Sequence, residues 1–270
     1  MVVNMQESIA NIKRQYIIDL AAEGKRADGR DFDQYRDLTI IPNYIKKAEG
    51  SAYVKLGDTK VIVGVKYDVG TPFPDIPNEG VMTTSAEFAP MASPDFEAGP
   101  PGEDAIELAR VVDRGIRESK AIDTGKLCIV PGEKVMIVFV DIQILDQDGN
   151  LIDACGIGAI TALLTAKMRV YDEEGNPTEE FVPLPVVKSP VPCTMAKIGN
   201  SILLDPQMDE EMILDSRITV STDEEGNVVA MQKGMAGSFK LEEIMEAVAI
   251  SKREGQKIRE KIQKAISESE

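Results

Sequence analysis

The 270 residues carry 46 acidic against 30 basic side chains, a formal charge of −16, so the chain cannot coat nucleic acid by bulk electrostatics and must meet any polyanion locally. With 43% hydrophobic and 28% charged residues the composition is globular, with one large or two small cores, and neither disordered nor collagenous. Histidine is absent, which removes His triads, His general bases and imidazole metal sites and leaves carboxylates, Lys, Arg, Cys and Ser for any chemistry.

Residues 4–23 set Ile9, Ile12, Tyr16, Ile17 and Leu20 at helical spacing, opened by an Asn4 and Glu7 capping pair and closed by Gly24. The turn-rich run Lys25-Arg26-Ala27-Asp28-Gly29-Arg30 follows. Residues 51–66 predict two antiparallel strands around Gly57-Asp58. Seven prolines between 68 and 102 predict irregular chain, broken by a short strand at 81–88 and including a mobile loop at 70–80. A helix at 103–119, a buried strand at 134–145, a turn at Asp148-Gly149-Asn150 and a small-residue helix at 152–168 come next. Residues 171–178 read as a polar hairpin tip.

The element Gly156-Ile157-Gly158 follows a strand and opens a helix, as a dinucleotide fingerprint would, but Thr161 stands where its third glycine belongs. Its small residues are read as close packing. Cys128, Cys155 and Cys193 lie 27 and 38 residues apart, too scattered for a CxxC pair or a disulfide framework, and are expected to be small buried hydrophobes in a reducing compartment. No basic-then-apolar leader opens the sequence, and no apolar run approaches the roughly 18 residues of a membrane span, so a soluble, cytoplasmic protein is expected.

After the Pro-rich passage 183–192 an earlier pattern returns. Lys55-Leu-Gly-Asp-Thr-Lys-Val-Ile matches Lys197-Ile-Gly-Asn-Ser-Ile-Leu-Leu at an offset of 142 residues, and each copy leads into further strands and a helix. Internal duplication follows, with an N-terminal segment at 1–30, a first half at 31–182 and a second at 183–270. The last helix, from about Leu241, places Leu241, Ile244, Val248, Ile258, Ile262 and Ile266 on one stripe that should dock on a sheet or a neighbouring subunit.

Arg110, Arg114 and Arg117 are spaced i, i+4 and i+7 and share one helical face, a stack of guanidinium forks that suits a phosphate chain. Spacing alone leaves a second reading open, in which Glu107, Asp113 and Glu118 pair with them as surface bridges worth about 0.3–0.5 kcal/mol each.

In order along the chain, the Arg26-Ala27-Asp28-Gly29-Arg30 element, the hairpin at 50–61, the run Glu-Leu-Ala-Arg-Val-Val-Asp-Arg at 107–114, the strand and turn at 141–149 and the second-half repeat resemble the RNase PH family of phosphorolytic exoribonucleases over nearly the full length. The 107–114 run is the specific element, and it is similar to the larger, non-catalytic type of RNase PH-like subunit in the archaeal exosome ring. The resemblance implies an α/β (α+β) duplicated fold of two βαβ-type halves with mixed sheets and flanking helices. It also implies a hexameric ring, a trimer of heterodimers with a catalytic paralogue, bound by RNA-binding cap subunits and threaded by single-stranded RNA, with no membrane partner.

Residue by residue, the resemblance implies lost catalysis. Active members hold phosphate with an Arg-Arg pair where this chain has Glu103 and Asp104, and with a Gly-Ser-Arg or Gly-Thr-Arg loop where it has Asp148-Gly149-Asn150. Their paired aspartates, the first in a Glu-Asp step and the second six residues on, are matched at best by Glu211 and Asp215. No catalytic residue, metal or cofactor is therefore expected, and Arg110, Arg114 and Arg117 are expected to bind RNA. A self-sufficient phosphorolytic exoribonuclease would have to find phosphate ligands elsewhere, and a free-standing RNA-binding module is disfavoured by the charge and by the lack of a stacking aromatic cluster.

Overall fold

The computed structural model describes residues 5–172 and 174–269, with side chains from residue 13 onward. Two sheets enclose a central helix. The first sheet holds β1 (Leu38–Pro42), β2 (Gly50–Leu56), β3 (Thr59–Gly70), β6 (Lys134–Asp146) and β4 (Val81–Phe88) in that order, with β5 (Cys128–Val130) pairing β6. All its pairings are antiparallel except β4 with β6. Their crossover is carried by α2 (Glu103–Glu118), giving one complete βαβ unit. The hairpin β7 (Lys167–Tyr171) and β8 (Pro177–Pro183) stands apart as a two-stranded sheet.

The second sheet runs β10 (Ser201–Leu204), β9 (Val191–Ile198), β11 (Ser216–Thr222), β12 (Val228–Gly234), and every pairing is antiparallel. The duplication is therefore visible but incomplete. β10 and β11 run in the same direction on either side of β9, and their crossover shrinks to the single turn α4 (Met208–Glu211), so the parallel βαβ pairing expected in both halves forms only in the first. The repeated hairpins do coincide. Leu56 pairs Thr59 and Ile198 pairs Ser201, and each two-residue turn opens on a glycine with φ +59°, Gly57 and Gly199. Positive φ at the first central position alone is the type II′ turn that fits strand twist.

α3 (Leu151–Thr165) is apolar all round and buried continuously from Ile152 to Leu163, because β2 and β3 cover one side and β9 the other. A methyl at Gly158 would lie 2.7 Å from Val63 Cγ2, so the glycines here serve packing, as expected. The helix stops at Thr165, short of the expected Met168, because Ala166 turns extended and Lys167 donates its N–H to the Glu49 carbonyl at 3.0 Å to enter β7.

Two apolar stripes are rotated relative to expectation. In α1 (Met5–Ala22) Ile17 and Ala21 pack on Ile198 and Leu203 while Tyr16 is turned outward. Asn4 and the side chains of Glu7, Ile9 and Ile12 lie outside the described residues. In α5 (Leu241–Ser269) Ala247, Ile250, Ile258 and Ile262 are buried on β9, β11 and β1, but Leu241 at the helix start is 74% exposed. Cys155 and Cys193 are fully buried, whereas Cys128 on the short strand β5 is only half-buried.

Candidate nucleic-acid interface and the start of helix α3

α2 opens after Pro100-Pro101 on an extended Gly102 that offers no side-chain cap. Glu103 and Asp104 fill its first turn and Arg117 its last, so the charges complement the helix dipole. Ala105, Leu108, Ala109, Val112 and Ile116 face inward against β4 and α3 and leave the charged side exposed. Arg110 is exposed and makes no ion pair or side-chain hydrogen bond among the described residues. Among the described residues Arg114 donates only to the Gln232 side-chain oxygen of β12, at 3.0 Å. Both line a groove of about 430 Å³ between α2 and β12, with Glu103 and Glu107 at its edge.

Arg117 behaves differently. Its Nε and Nη2 donate to the two Asp113 oxygens at 3.0 Å each, and Nη2 also reaches the Met82 carbonyl at 3.0 Å. That pairing raises its pKa above the ordinary guanidinium value. Of the three surface bridges considered from spacing, this is the one that forms. Glu107 reaches across to Arg217 Nη2 at 3.0 Å instead, and Glu118 pairs with no arginine of the helix among the described residues.

The start of α3 is filled from within the chain. Glu211 Oε1 accepts the Asn150 N–H at 2.8 Å, and Asn150 is the N-cap of α3, so a carboxylate already sits on the helix-start donor that would attract an anion. Burial pushes the Glu211 carboxyl up, against the pull of the Asn150 N–H, Arg217 and Arg36. A cavity of about 150 Å³ beside it is lined by Asp104, Glu107, Gln147, Glu211 and Arg217, with Phe88 and Phe96 packed 4.5 Å apart at its wall. Three carboxylates thus face a single guanidinium. Glu103 stays outside this cavity, in the groove of Arg110.

Asp215 lies elsewhere. It is exposed, its Oδ2 accepts the Gly199 N–H at 2.7 Å and its carbonyl accepts the Gly237 N–H at 2.9 Å, so it closes the β9–β10 turn. Six residues beyond Glu211 stands Arg217, which the sequence reading passed over. Taking Glu210-Glu211 as the acidic step and counting six would have found it. No cluster of three or more Cys, Asp or Glu among the described residues is arranged to hold a metal ion.

Beneath this surface the Asp-Gly-Arg element binds the two halves together. Arg26 is 4% exposed, donates through Nε to Glu210 at 2.9 Å and reaches the Leu204 and Asp205 carbonyls. Arg30 and Arg36 converge on the fully buried Asp205 carboxylate, Arg36 by two bonds of 2.9 Å. Burial alone would raise the Asp205 carboxyl, yet the Arg36 guanidinium holds it below the usual range. Asn150 links Asp205, at 2.7 Å, to Asp153, at 2.8 Å. Asp153 is also bonded by the Tyr35 hydroxyl and by Thr194, and burial pushes its carboxyl up to about 6.

Two α/β halves sharing one helical core define a class, and comparison agrees: residues 34–169 match domain 1 and residues 188–254 match domain 2 of the 3′ exoribonuclease family, RNase PH. The chain belongs to that family. Within it, the chain is 57% identical to exosome complex component Rrp42 of Thermococcus kodakarensis over 265 residues, covering 96% of this chain and 97% of that one. It is 54% identical to the Rrp42 of Pyrococcus abyssi over 97% of this chain and 98% of that one. A subunit of the Archaeoglobus fulgidus exosome with RNA bound to the active site superposes with TM-score 0.89 at 49% identity, covering 94% of this chain and 99% of that one. No helix among the described residues is long and apolar enough to cross a membrane.

Proposed function

We propose that the chain is a non-catalytic subunit of an archaeal exosome ring that supports 3′-to-5′ phosphorolytic RNA degradation. In this reading it alternates with a catalytic RNase PH-like paralogue in a hexamer, residues 31–182 and 183–270 forming its two halves and residues 1–30 the tie. Cap subunits bind RNA above it, and single-stranded RNA passes Arg110 and Arg114 on the way to the paralogue's site. The two buried free thiols suit the reducing cytoplasm.

One observation carries the non-catalytic reading: the Glu211 carboxylate occupies the α3 start, next to Asp104 and Glu107. Inorganic phosphate entering there would meet like charge on three sides, a repulsion of several kcal/mol in a shielded site. The cationic reading of α2 is supported by Arg110 and Arg114 having no carboxylate partner among the described residues, on a chain of net charge −16.

The purified chain alone, given poly(A), phosphate and a divalent metal, is expected to release no nucleoside diphosphates. Mixed with its paralogue it is expected to form a closed alternating ring of six subunits that does. Diphosphate release by the isolated chain that disappears in Glu211→Gln would establish a self-sufficient exoribonuclease instead.

A further inference from the structure

A second cavity, of about 550 Å³, opens beyond the C-terminal end of α2. Ile116, Ile122 and Val187 form its floor and wall, residues 71–80 form its rim, and Phe73 on that rim is 53% exposed. The rim is tied down rather than free, since the Gly80 N–H donates to the Thr124 carbonyl and the Gly132 N–H to the Pro77 carbonyl, each at 2.9 Å. Neither the ring-subunit reading nor the Arg110 groove uses this space.

Two features distinguish it from an ordinary surface hollow. The first is Lys120, which lines the cavity and holds a left-handed backbone with φ +53°. It occupies the position after the α2 C-cap, where the Ala121 N–H returns to the Ile116 carbonyl at 3.1 Å. Glycine takes this position without strain, and a lysine there gives up stability that the fold does not require. Its ammonium has no carboxylate within ion-pair distance among the described residues. Two acids also line the cavity, Glu79, which accepts the Thr124 hydroxyl at 2.7 Å, and Asp123, which lies 3.4 Å from Lys126, while Asp113 holds Arg117.

The second feature is continuity. Arg110, Arg114, Arg117 and Lys120 follow each other at three- or four-residue steps, a cationic column about 15 Å long by helical rise that leads from the Arg110 groove into this cavity. An exposed phenyl ring beside cations and over an apolar floor is the chemistry that takes a stacked base with its phosphate.

We propose that this cavity is a nucleobase subsite for single-stranded RNA, with Phe73 stacking on the base and Lys120 holding the adjoining phosphate. The assignment rests on the reading of α2 as an RNA-binding face and adds a separate place along the strand. An apolar protein segment would also fit the floor, but it would leave the unpaired Lys120 without a purpose.

The test uses the assembled ring and a series of RNAs carrying 2-aminopurine at successive positions. One position is expected to be quenched on binding and to recover its fluorescence in Phe73→Ala, with affinity falling roughly five- to tenfold. Lys120→Gly is the second variant, because glycine suits the left-handed position. It is expected to raise the melting temperature while flattening the log–log salt dependence of binding by about 0.7, one phosphate contact. A purely structural lysine would give the first effect without the second. If both variants bind every RNA as wild type does while Arg110→Ala with Arg114→Ala weakens binding, the subsite is refuted and the RNA face stands. If the Arg variant is also unaffected, both readings fall. Loss of a cap subunit from Phe73→Ala rings with RNA binding intact assigns the cavity to a protein segment and overturns the proposal.

Discussion

Replacing Arg110 and Arg114 together by alanine separates RNA recognition from structure, because the fold makes almost no demand on either side chain. Arg110 has no partner among the described residues, and Arg114 has one neutral hydrogen bond to Gln232 on an exposed face. The stability change should stay within about 0.5 kcal/mol, a shift of a degree or two in melting temperature for a chain of this size. Two lost contacts to a single strand flatten the log–log salt dependence by about 1.4. Over a fourfold rise in salt the wild-type ring then loses roughly sevenfold more affinity than the variant. Arg117→Ala is the internal control. Its fork is committed to Asp113 and it is more than half exposed, so it should lower stability by a few tenths of a kcal/mol and change the salt slope less than either of the others. Filter binding across a salt series, with melting curves alongside, gives both numbers. Equal slopes for wild type and the double variant would make the arginine face a solvated surface and refute the assignment.

Arg36→Ala leaves the buried Asp205 carboxylate without its main partner and should destabilise the chain by roughly 3–5 kcal/mol in denaturant titration, far beyond any surface arginine; a loss below about 1 kcal/mol would show that Arg30 and Asn150 suffice. Asp153, held at about 6 against an ordinary 3.8, contributes stability that is complete below pH 4 and is lost as pH rises through 6, worth about 3 kcal/mol over the window. Asp153→Asn has no such titration, so its stability relative to wild type should improve steadily from pH 4 to pH 7; a constant difference would place the Asp153 carboxyl at its ordinary value.

The parts of this molecule legible in its sequence are those set by neighbours along the chain. Gly57-Asp58 and Gly199-Asn200 specify the same turn wherever they stand, and the apolar run of β6 and the small-residue helix α3 announce burial on two faces. What the sequence hides is set by distant partners. Tyr16 and Leu241 fit their helical stripes, yet no described residue covers them and both are exposed. Glu107 lies one turn from Arg110 but pairs with Arg217 on another strand. The separation of Asp215 from Glu211 has a related cause: α4 is a single turn, and only the path of the chain after it shows that Arg217, and not Asp215, lines the cavity beside Glu211. The Asp-Gly-Arg element was recognisable as a motif, while its work of tying residues 26–36 to Asp205 and Glu210 is purely three-dimensional.

Arg217 also makes the carboxylate on the start of α3 testable without any RNA. It is the one guanidinium among the residues lining a cavity with Asp104, Glu107 and Glu211, and it is mostly buried. In Arg217→Gln the half-exposed Glu107 can turn to water, but Glu211 cannot, because its carboxylate is fixed on the Asn150 N–H. The Glu211 carboxyl, already pushed above its ordinary 4.5 by burial, would rise further. A carboxyl raised in the folded state contributes stability at low pH and loses it as pH climbs through the folded value. The deficit of Arg217→Gln should therefore be small at pH 4 and grow to about 1–2 kcal/mol at pH 7, a Coulomb energy discounted for partial solvent access. Adding Glu211→Gln removes the titrating group, and the double variant should show a deficit that no longer depends on pH. Denaturant titrations of wild type, both single variants and the double at three pH values complete the cycle. A pH-dependent deficit that survives in the double variant would mean that Arg217 serves Asp104 or Glu107 instead, and that the carboxylate on the start of α3 is stable without it.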